Sequence, residues 1–410
     1  MPEAAPRLAR DLALLGGSPL FSAKLHVGGP NVEGREALFR RIGEALDRRW
    51  LTNNGELLLE FEARLAQLLG VRHALVLCNG TVALEIVARA LDLSGEVIVP
   101  SFTFIATAHA LKWQQIEPVF VEVAERDHLM DPEAVERAIT PRTTAILAVH
   151  TWGQPCHVEA LEDIARRHGL KLVFDAAHAF ACADAGRPIG GFGDAEVFSF
   201  HATKFFHTFE GGAITTNDDD LARRIKLMRN FGFTGFDNVE SVGVNGKMSE
   251  VGAAMGLTNL DQLDHLIAVN RRNFARYREA LRGLPGVELL DVPEGARRNF
   301  QHVVLQVKEG CALHRDDLVE ALWAENIIAR RYFYPGCHRM EPYRSEKAWD
   351  LPITDRVAGS VVILPTGTAV GDAEVDAVAG AIRAILEQAD AVRTALVGRP
   401  RLVTQAMRVV

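Results

Sequence analysis

A lysine between two predicted buried strands is the residue of this chain with the clearest chemical potential. Lys204 lies in SFHATKFF, between an apolar run at 196–200 and a second β-type run at 213–216. Burial lowers the pKa of a lysine, which makes its neutral amine a usable nucleophile. This is the chemistry of a lysine that forms a Schiff base. The ordinary alternative is a solvated lysine on a surface loop. The other polar and aromatic groups of the chain therefore have to show which interpretation of Lys204 is favoured.

Three further groups follow other predicted strands. Asp175 ends the run KLVFD, and Phe104 comes soon after the run EVIVP. Asn79-Gly80-Thr81 separates a strand from a helix, and the amides at such a helix N-terminus can bind phosphate. Each group also has an ordinary interpretation: a helix cap for Asp175 and for Asn79 or Thr81, and core packing for Phe104.

Taken together, the four groups match the needs of pyridoxal phosphate (PLP) catalysis. A lysine attaches the cofactor, and a carboxylate pairs with the pyridine nitrogen and keeps the ring an electron sink. An aromatic ring stacks on the cofactor, while amides and hydroxyls hold its phosphate. Because ligands of open α/β sheets bind at the carboxyl ends of the strands, the four groups are expected to converge there.

The elements that must position these groups alternate between strand and helix. Strands are predicted at 73–77, 96–100, 118–123, 144–152, 171–179, 196–200 and 213–216. Helices are predicted at 35–50, 56–70, 82–91, 101–114, 132–139, 157–169 and 218–229. The strands are apolar throughout, as expected when both faces of a sheet are covered. The pattern predicts an α/β domain with a mostly parallel sheet flanked by helices.

The chain is expected to divide into four parts. Residues 1–34 are predicted to form an arm on the surface, 35–270 the large α/β domain, 271–395 a smaller α+β domain and 396–410 a tail. Residues 230–250 are predicted to form a long loop that is functional or disordered, followed by one long helix or two at 252–283. In the small domain, strands are predicted at 299–307, 327–335 and 361–365, and helices at 314–326 and 372–389.

Composition limits the class of function. The 410 residues carry a net charge of −8, which argues against a nucleic-acid binder. The five cysteines are scattered without metal-site spacing, so we expect reduced thiols in a cytoplasmic protein and no metal site. No apolar stretch approaches the length of a membrane span, and neither a GxGxxG nor a GxxxxGK[ST] motif occurs.

Six motifs give the chain a family resemblance. They are NGTVAL (79–84), PSFTFIATAHA (100–110), FDAAHA (174–179), SFHATK with EGGA (199–204 and 210–213), VNGKMSE (244–250) and LPTG (364–367). In this order they resemble the DegT/DnrJ/EryC1/StrS sugar aminotransferases, PLP enzymes of fold type I. The resemblance implies a mostly parallel sheet of the seven-stranded type in the large domain. SFHATK, NGKMSE and YFYPGCHRMEPYR (332–344) are most similar to the branch that aminates position 4 of dTDP-4-keto-6-deoxyglucose.

The resemblance also implies a role for each motif position. Lys204, Asp175 and His178 are the implied catalytic residues: the attachment and proton-transfer lysine, the partner of the pyridine nitrogen and a contact of the phenolic oxygen. The other implied cofactor contacts are Asn79, Gly80, Thr81, Phe104, Ser199 and, from the neighbouring subunit, Asn245. The candidates for substrate contacts are His201, Lys247, Tyr332, Tyr334 and His338. Asn79 replaces the usual serine, Lys247 stands where the family often has arginine, and many relatives have glutamine in place of His178.

The implied activity is transfer of an amino group from L-glutamate to the 4-keto group of dTDP-4-dehydro-6-deoxy-D-glucose in a homodimer with shared active sites. Two alternatives remain: amination at position 3 of the sugar, and amination of a ketosugar linked to UDP or GDP. Dehydratases of this fold have histidine in place of the lysine, so Lys204 argues against dehydration. A non-catalytic protein that binds PLP or a sugar nucleotide is the alternative from another class.

Overall fold

A seven-stranded sheet forms the centre of the large domain in the computed structural model, which describes residues 12–292, 296–345 and 348–405. The strands of the described chain are β1 Leu25–His26, β2 His73–Leu77, β3 Glu96–Pro100, β4 Glu117–Val121, β5 Thr143–Val149, β6 Lys171–Asp175, β7 Ala183–Asp184, β8 Arg187–Pro188, β9 Ala195–Ser199, β10 Gly212–Thr216, β11 Phe233–Gly235, β12 Asn238–Val239, β13 Val287–Leu289, β14 Val303–Val307, β15 Ile327–Ile328 and β16 Val361–Leu364. The central sheet has the order β2-β10-β9-β6-β5-β3-β4. Only β10 runs against its neighbours, so the predicted mostly parallel sheet is confirmed.

Helices cover both faces of this sheet. The α-helices are α1 Arg35–Arg48, α2 Glu56–Leu69, α3 Gly80–Ala90, α4 Ile105–Lys112, α5 Pro132–Ala138, α6 Val158–His168, α7 Asp219–Met228, α8 Glu250–Asp261, α9 Leu263–Ala280, α10 Arg315–Ala324, α11 Glu341–Arg344, α12 Pro352–Ser360, α13 Asp372–Glu387, α14 Ala389–Leu396 and α15 Leu402–Gln405. Neighbouring strand residues enter different cores: Val173 and Val197 pack in one, Phe174 and Phe198 in the other. The apolar strands are therefore buried on both faces.

The small domain has its own antiparallel sheet, in the order β13-β14-β16. A separate hydrophobic core, which includes Leu318, Val362 and Ile382, fills the space between this sheet and its helices. Helix α9 joins the domains, because Leu266 packs in the large-domain core and Phe274 in the small-domain core. The predicted boundary at 270/271 falls inside this helix and remains a prediction.

The N-terminal arm does not simply lie on the surface as expected. In its described part, Leu12 and Leu14 are buried in the small-domain core, and β1 pairs in parallel with β15. Residues 1–11 of the predicted arm lie outside the described ranges. Apolar side chains this well buried make the arm part of the small domain's packing.

Several predicted elements differ in extent. The strands predicted at 144–152, 171–179 and 299–307 are shorter in the structure, where they span Thr143–Val149, Lys171–Asp175 and Val303–Val307. The helix predicted from 101 begins at Ile105, because the Ser101 carbonyl accepts a hydrogen bond from Cys337 and holds the preceding stretch extended. The strand predicted at 327–335 is only two residues long: Arg330 makes an isolated bridge to Ile363, and the chain then turns over 332–335. The 230–250 loop contains the short hairpin of β11 and β12.

The predicted C-terminal tail contains helical residues where it is described: α14 ends at Leu396, and α15 spans Leu402–Gln405. Val392 and Leu396 of α14 are buried in the small-domain core, while residues 406–410 of the tail lie outside the described ranges. Within the described ranges, none of the helices combines the length and hydropathy needed to cross a bilayer.

A buried carboxylate from α8 fixes the start of α2, and substitution of this residue tests its capping role. Glu250 is 1% exposed and accepts hydrogen bonds from the amides of Leu57 and Leu58, each at 3.0 Å. Glu250→Ala should lower the free energy of unfolding by about 2 kcal/mol, because two N–H groups lose their acceptors. Chemical unfolding followed by circular dichroism measures it. The exposed Glu56→Ala should change the value by less than about 0.5 kcal/mol; equal losses would contradict the capping role.

Candidate active site

The predicted groups meet at the carboxyl ends of β6 and β9. These neighbouring parallel strands pair Asp175 with Val197, so Asp175 and Ser199 leave the sheet at the same edge. Lys204 follows β9 in a turn that its N–H closes with the carbonyl of His201, at 2.9 Å. Parallel β-pairing thus brings together residues that are far apart in sequence.

Asp175 is a buried carboxylate held on both oxygens. One oxygen accepts a hydrogen bond from the Thr107 hydroxyl at 2.8 Å, and the other accepts one from the Ala177 amide at 3.0 Å. Thr107 also bonds the hydroxyl of Thr103 at 2.9 Å. Burial raises the pKa of Asp175, while these two donors and the charge of Lys204 oppose the rise. A cationic partner stabilises such a carboxylate further, and a protonated ring nitrogen is one such partner.

Lys204 has the electrostatics of a reactive amine. Burial lowers its pKa to about 8, and the negative charge of Asp175 opposes the shift. A substantial fraction of the amine is therefore uncharged between about pH 7 and pH 8. A nucleophile or a general base requires this uncharged form.

His178 lies in an aromatic layer beside these two residues. Its ring is parallel to those of Trp152 and Phe333, with centroids 6.3 and 5.6 Å away, and the ring centroid of His302 is 4.5 Å away. Burial, with the charges of Lys204 and His302, holds the pKa of His178 well below its ordinary value. Its Nδ1 atom is buried without a hydrogen-bond partner among the described residues. A buried orphan atom of this kind fits a bond to a bound ligand.

The start of α3 forms the predicted anion site. The side chain of Asn79 caps the helix by accepting from the Val82 amide at 2.8 Å. Helix geometry then leaves the amides of Gly80 and Thr81 for a ligand. A Cβ on Gly80 would come within 3.2 Å of the Ser199 Cβ, so glycine lets Ser199 lie directly beside the helix start.

Two predicted cofactor contacts lie on the surface of the single chain. Phe104 is 58% exposed and lies immediately before α4. It is one turn ahead of Thr107, the residue that donates a hydrogen bond to Asp175. Asn245 is exposed on the 230–250 loop, where its main chain pairs with Asn230. Exposure leaves both side chains available to groups from outside the chain.

The predicted substrate contacts fall into two groups. His201 is exposed and bonds Thr203 at 2.8 Å, and Tyr334 is also exposed. Lys247 and Tyr332 are half-buried: the Lys247 amine donates to Asn230 at 2.8 Å, and the Tyr332 ring lies 6.3 Å from that of His302.

His338 differs from the prediction of a substrate contact. It is 1% exposed; Nδ1 bonds the Ser101 hydroxyl at 2.6 Å and Nε2 bonds Asp355 at 3.1 Å. The Ser101 hydroxyl also accepts from the His338 amide, so the buried Ser101 and the half-buried Asp355 together tether the 332–344 stretch through His338. The structure favours a structural role for His338.

Sequence reasoning missed four residues of the site: Thr107, Trp152, His302 and Phe333. Thr107 follows Phe104 by one turn and could have been considered as a neighbour of Asp175. Trp152 and Phe333 lay in stretches predicted as strands, and nothing in the sequence marked His302. No group of three or more His, Cys, Asp or Glu side chains that could bind a metal occurs in the described part of the chain.

Comparison with known proteins places this site in a family context. The model of the DegT/DnrJ/EryC1/StrS aminotransferase family matches residues 33–383. The dTDP-4-amino-4,6-dideoxy-D-glucose transaminase of Shigella dysenteriae is 37% identical over 343 residues, which are 83% of this chain and 93% of that protein. The GDP-perosamine synthase of Caulobacter vibrioides is 35% identical over 368 residues, 88% of this chain and 98% of that one.

One solved structure is similar to this chain in both sequence and fold. The structure of DesI in the presence of its TDP-sugar product is 48% identical and superposes with a TM-score of 0.91. The match covers 94% of this chain and 99% of DesI.

The titration of Lys204 can be tested directly. A small aldehyde followed by borohydride should label Lys204 half-maximally near pH 8, because the neutral amine reacts and the ammonium does not. Mass spectrometry of the labelled peptides across a pH series measures the midpoint. In Asp175→Asn the midpoint should move to lower pH, since the carboxylate stabilises the ammonium. A midpoint near 10.5, the ordinary lysine value, would contradict the assignment.

Proposed function

Because the chain belongs to the DegT/DnrJ/EryC1/StrS aminotransferase family, we propose that it transfers an amino group from L-glutamate to a nucleotide-linked 4-keto-6-deoxyhexose. The sugar substrate is dTDP-4-dehydro-6-deoxy-D-glucose, and the product is dTDP-4-amino-4,6-dideoxyglucose. The name of the Shigella dysenteriae relative and the TDP-sugar product in the DesI structure support this choice. The observation that carries the proposal is that the charges of the Lys204 amine, whose pKa burial lowers to about 8, and of the buried Asp175 carboxylate act on each other.

Pyridoxal phosphate is the proposed cofactor. When bound, it supplies an aldehyde that accepts amines and a ring that withdraws electrons from the attached carbon. Asp175 would face the ring nitrogen, and the unpartnered His178 Nδ1 fits a bond to the phenolic oxygen. A neutral His178, as its low pKa implies, adds no positive charge beside Lys204.

The phosphate is proposed to lie at the start of α3. The amides of Gly80 and Thr81 would bind it together with the Ser199 hydroxyl, while Asn79 shapes the helix start through its cap. Phe104 would cover one face of the ring, which accounts for a large aromatic side chain exposed beside the site.

Lys204 is proposed to move the proton in both halves of the reaction. Its Nζ would take the proton from the α-carbon of glutamate and pass it to the aldehyde carbon of the cofactor; in the second half it would carry a proton from that carbon to C4 of the sugar. This task needs an amine that exists in both protonation states near the working pH, and a pKa of about 8 meets that need.

A homodimer with shared active sites is the proposed assembly. Large apolar side chains are exposed on one part of the large domain, in α1, α2 and their connection: Phe39, Leu46, Trp50, Leu51 and Leu59. More are exposed on the 230–250 loop, which also carries the exposed Asn245: Phe231, Phe233, Phe236, Val239, Val242 and Val244. Burial of these surfaces against a second copy would bring Asn245 toward the partner's phosphate site.

A cytoplasmic location is also proposed. The described cysteines are all unpaired, in line with this location.

A second candidate substrate has support from one relative. The GDP-perosamine synthase of Caulobacter vibrioides covers 88% of this chain, so a GDP-linked ketosugar is the main rival. Amination at position 3 and a UDP-linked sugar complete the enzymatic alternatives. The Lys204 amine and the Asp175 carboxylate argue against a non-catalytic binding protein. Binding of a ligand alone requires neither group.

The role of Lys204 gives a spectroscopic prediction. Wild-type protein mixed with PLP should develop the visible absorbance of the lysine-bound cofactor, and glutamate should remove it. Lys204→Ala should lack this band and lose activity by about a thousandfold or more, because both the attachment point and the proton carrier are gone. The exposed Lys226→Ala serves as the control and should behave as wild type. An unchanged spectrum in Lys204→Ala would remove Lys204 from this role.

Substrate choice is tested by product analysis. The PLP-loaded enzyme is supplied with glutamate and one of a panel of dTDP-, UDP- and GDP-linked 4-keto and 3-keto sugars, and NMR locates the new amine. The expected result is efficient conversion of dTDP-4-dehydro-6-deoxy-D-glucose to the 4-amino sugar. Exclusive formation of a 3-amino product, or a preference for the GDP-linked sugar, would overturn the substrate assignment.

A further inference from the structure

We propose that Asn31 and Gln301 are positioning residues for amine transfer, because together they fix the main chain of the turn that carries Lys204. We call these two side chains the amide clip. The inference rests on the proposed function, since it assigns the clip a part in the lysine's reaction. It concerns residues distant in sequence from Lys204, one in the N-terminal arm and one at the entry to β14.

The clip acts on Phe205, the residue immediately after the lysine. The Phe205 amide donates to the Gln301 side-chain oxygen at 3.1 Å, and the Asn31 side-chain amide donates to the Phe205 carbonyl at 2.8 Å. Both hydrogen-bonding groups of this residue's main chain are thus held by side chains, and its ring is buried. With Phe205 fixed on both sides, the Cα of Lys204 has little freedom to shift.

Asn31 connects the turn to the small domain. It is 2% exposed, and its side-chain oxygen accepts from the Thr368 amide at 2.9 Å. Its own carbonyl bonds His207 Nε2 at 2.8 Å, two residues beyond Phe205. One buried asparagine therefore satisfies groups from the lysine turn and from the small domain at once, which few other residue types could do.

Gln301 connects the turn to the other side of the site. Its amide donates to the Asn299 side-chain oxygen at 3.0 Å, and the Asn299 side-chain nitrogen donates to the carbonyls of His178 and Phe180, at 2.8 and 3.0 Å. The same short segment thus sets both the His178 turn and the Lys204 turn. This arrangement couples the positions of the two groups.

The approach of the arm to the turn is close enough to require glycine. At Gly28 the backbone has a φ of +74°, and a Cβ there would come within 3.0 Å of the Cβ and the carbonyl oxygen of Thr203. The arm thus contacts the turn just before the lysine as well as just after it.

Lys204 needs such support because its amine must reach two different carbons in successive halves of one cycle. Displacement of a reacting group by about 1 Å can cost about a hundredfold in rate. A turn without intrinsic regular structure keeps that precision only if its main chain is held from outside.

Gln301→Met tests the clip, because methionine keeps the length of the side chain and removes the acceptor for the Phe205 amide. In the cofactor-free variant, hydrogen–deuterium exchange should be faster in the peptide that contains Phe205. In the PLP-loaded variant, the rate of cofactor conversion by glutamate should fall about 10- to 100-fold, with the cofactor still bound. Gln301→Glu, which keeps an oxygen acceptor, should restore slow exchange.

Asn217→Leu is the matched control, since the Asn217 side chain also accepts from a distant main-chain amide, that of Arg72, at 2.9 Å but away from the site. It should leave Phe205 exchange and the glutamate rate unchanged. If Gln301→Met does not fold, Gln301→Ser, which leaves room for water, carries the same expectations.

Two results would overturn the clip: Phe205 exchange equal to wild type, or faster exchange with an unchanged glutamate rate, which would show a purely structural contact. A wild-type protein that binds PLP but does not respond to glutamate would instead refute the proposed function. The exchange measurement on cofactor-free protein does not depend on that outcome, so the two failures can be told apart.

Discussion

The desolvation of an amine and a carboxylate whose charges act on each other is the constraint on which the rest of the site depends. Desolvation works against both charges: it lowers the pKa of Lys204 and raises the pKa of Asp175. Thr107 and the Ala177 amide support the ionised carboxylate, whereas the amine remains easily neutralised. The aromatic layer around His178 extends the low-dielectric surroundings without adding a competing charge.

Much of the central sheet and the main chemistry could be predicted from the sequence because both depend on local patterns. Apolar runs identified the seven strands, and the order of strands and polar turns placed Asp175 and Lys204 at neighbouring strand ends. Such predictions need only the rule that parallel strands end at a common edge. The six motifs supported the same interpretation through the resemblance to a family.

Features that depend on contacts between distant segments could not be predicted. His302 and the side chain of Gln301 reach the site through tertiary packing, and their own sequence neighbourhoods are ordinary. The same limit explains two errors. The predicted strand through 327–335 breaks into a turn, and His338 is tethered to Ser101 and Asp355 instead of facing the substrate.

The link from Asn31 to Thr368 also has a consequence for synthesis on the ribosome. The two residues are 337 positions apart, so Asn31 leaves the ribosome long before its small-domain partner exists. Domains generally fold as units, N-terminal ones first. A nascent chain can therefore contain a formed central sheet with Lys204 and Asp175 in place while the arm is still undocked. Thr368, which is made after the central sheet, completes the support of the catalytic turn, so a product truncated before Thr368 would carry the reactive lysine without its final alignment.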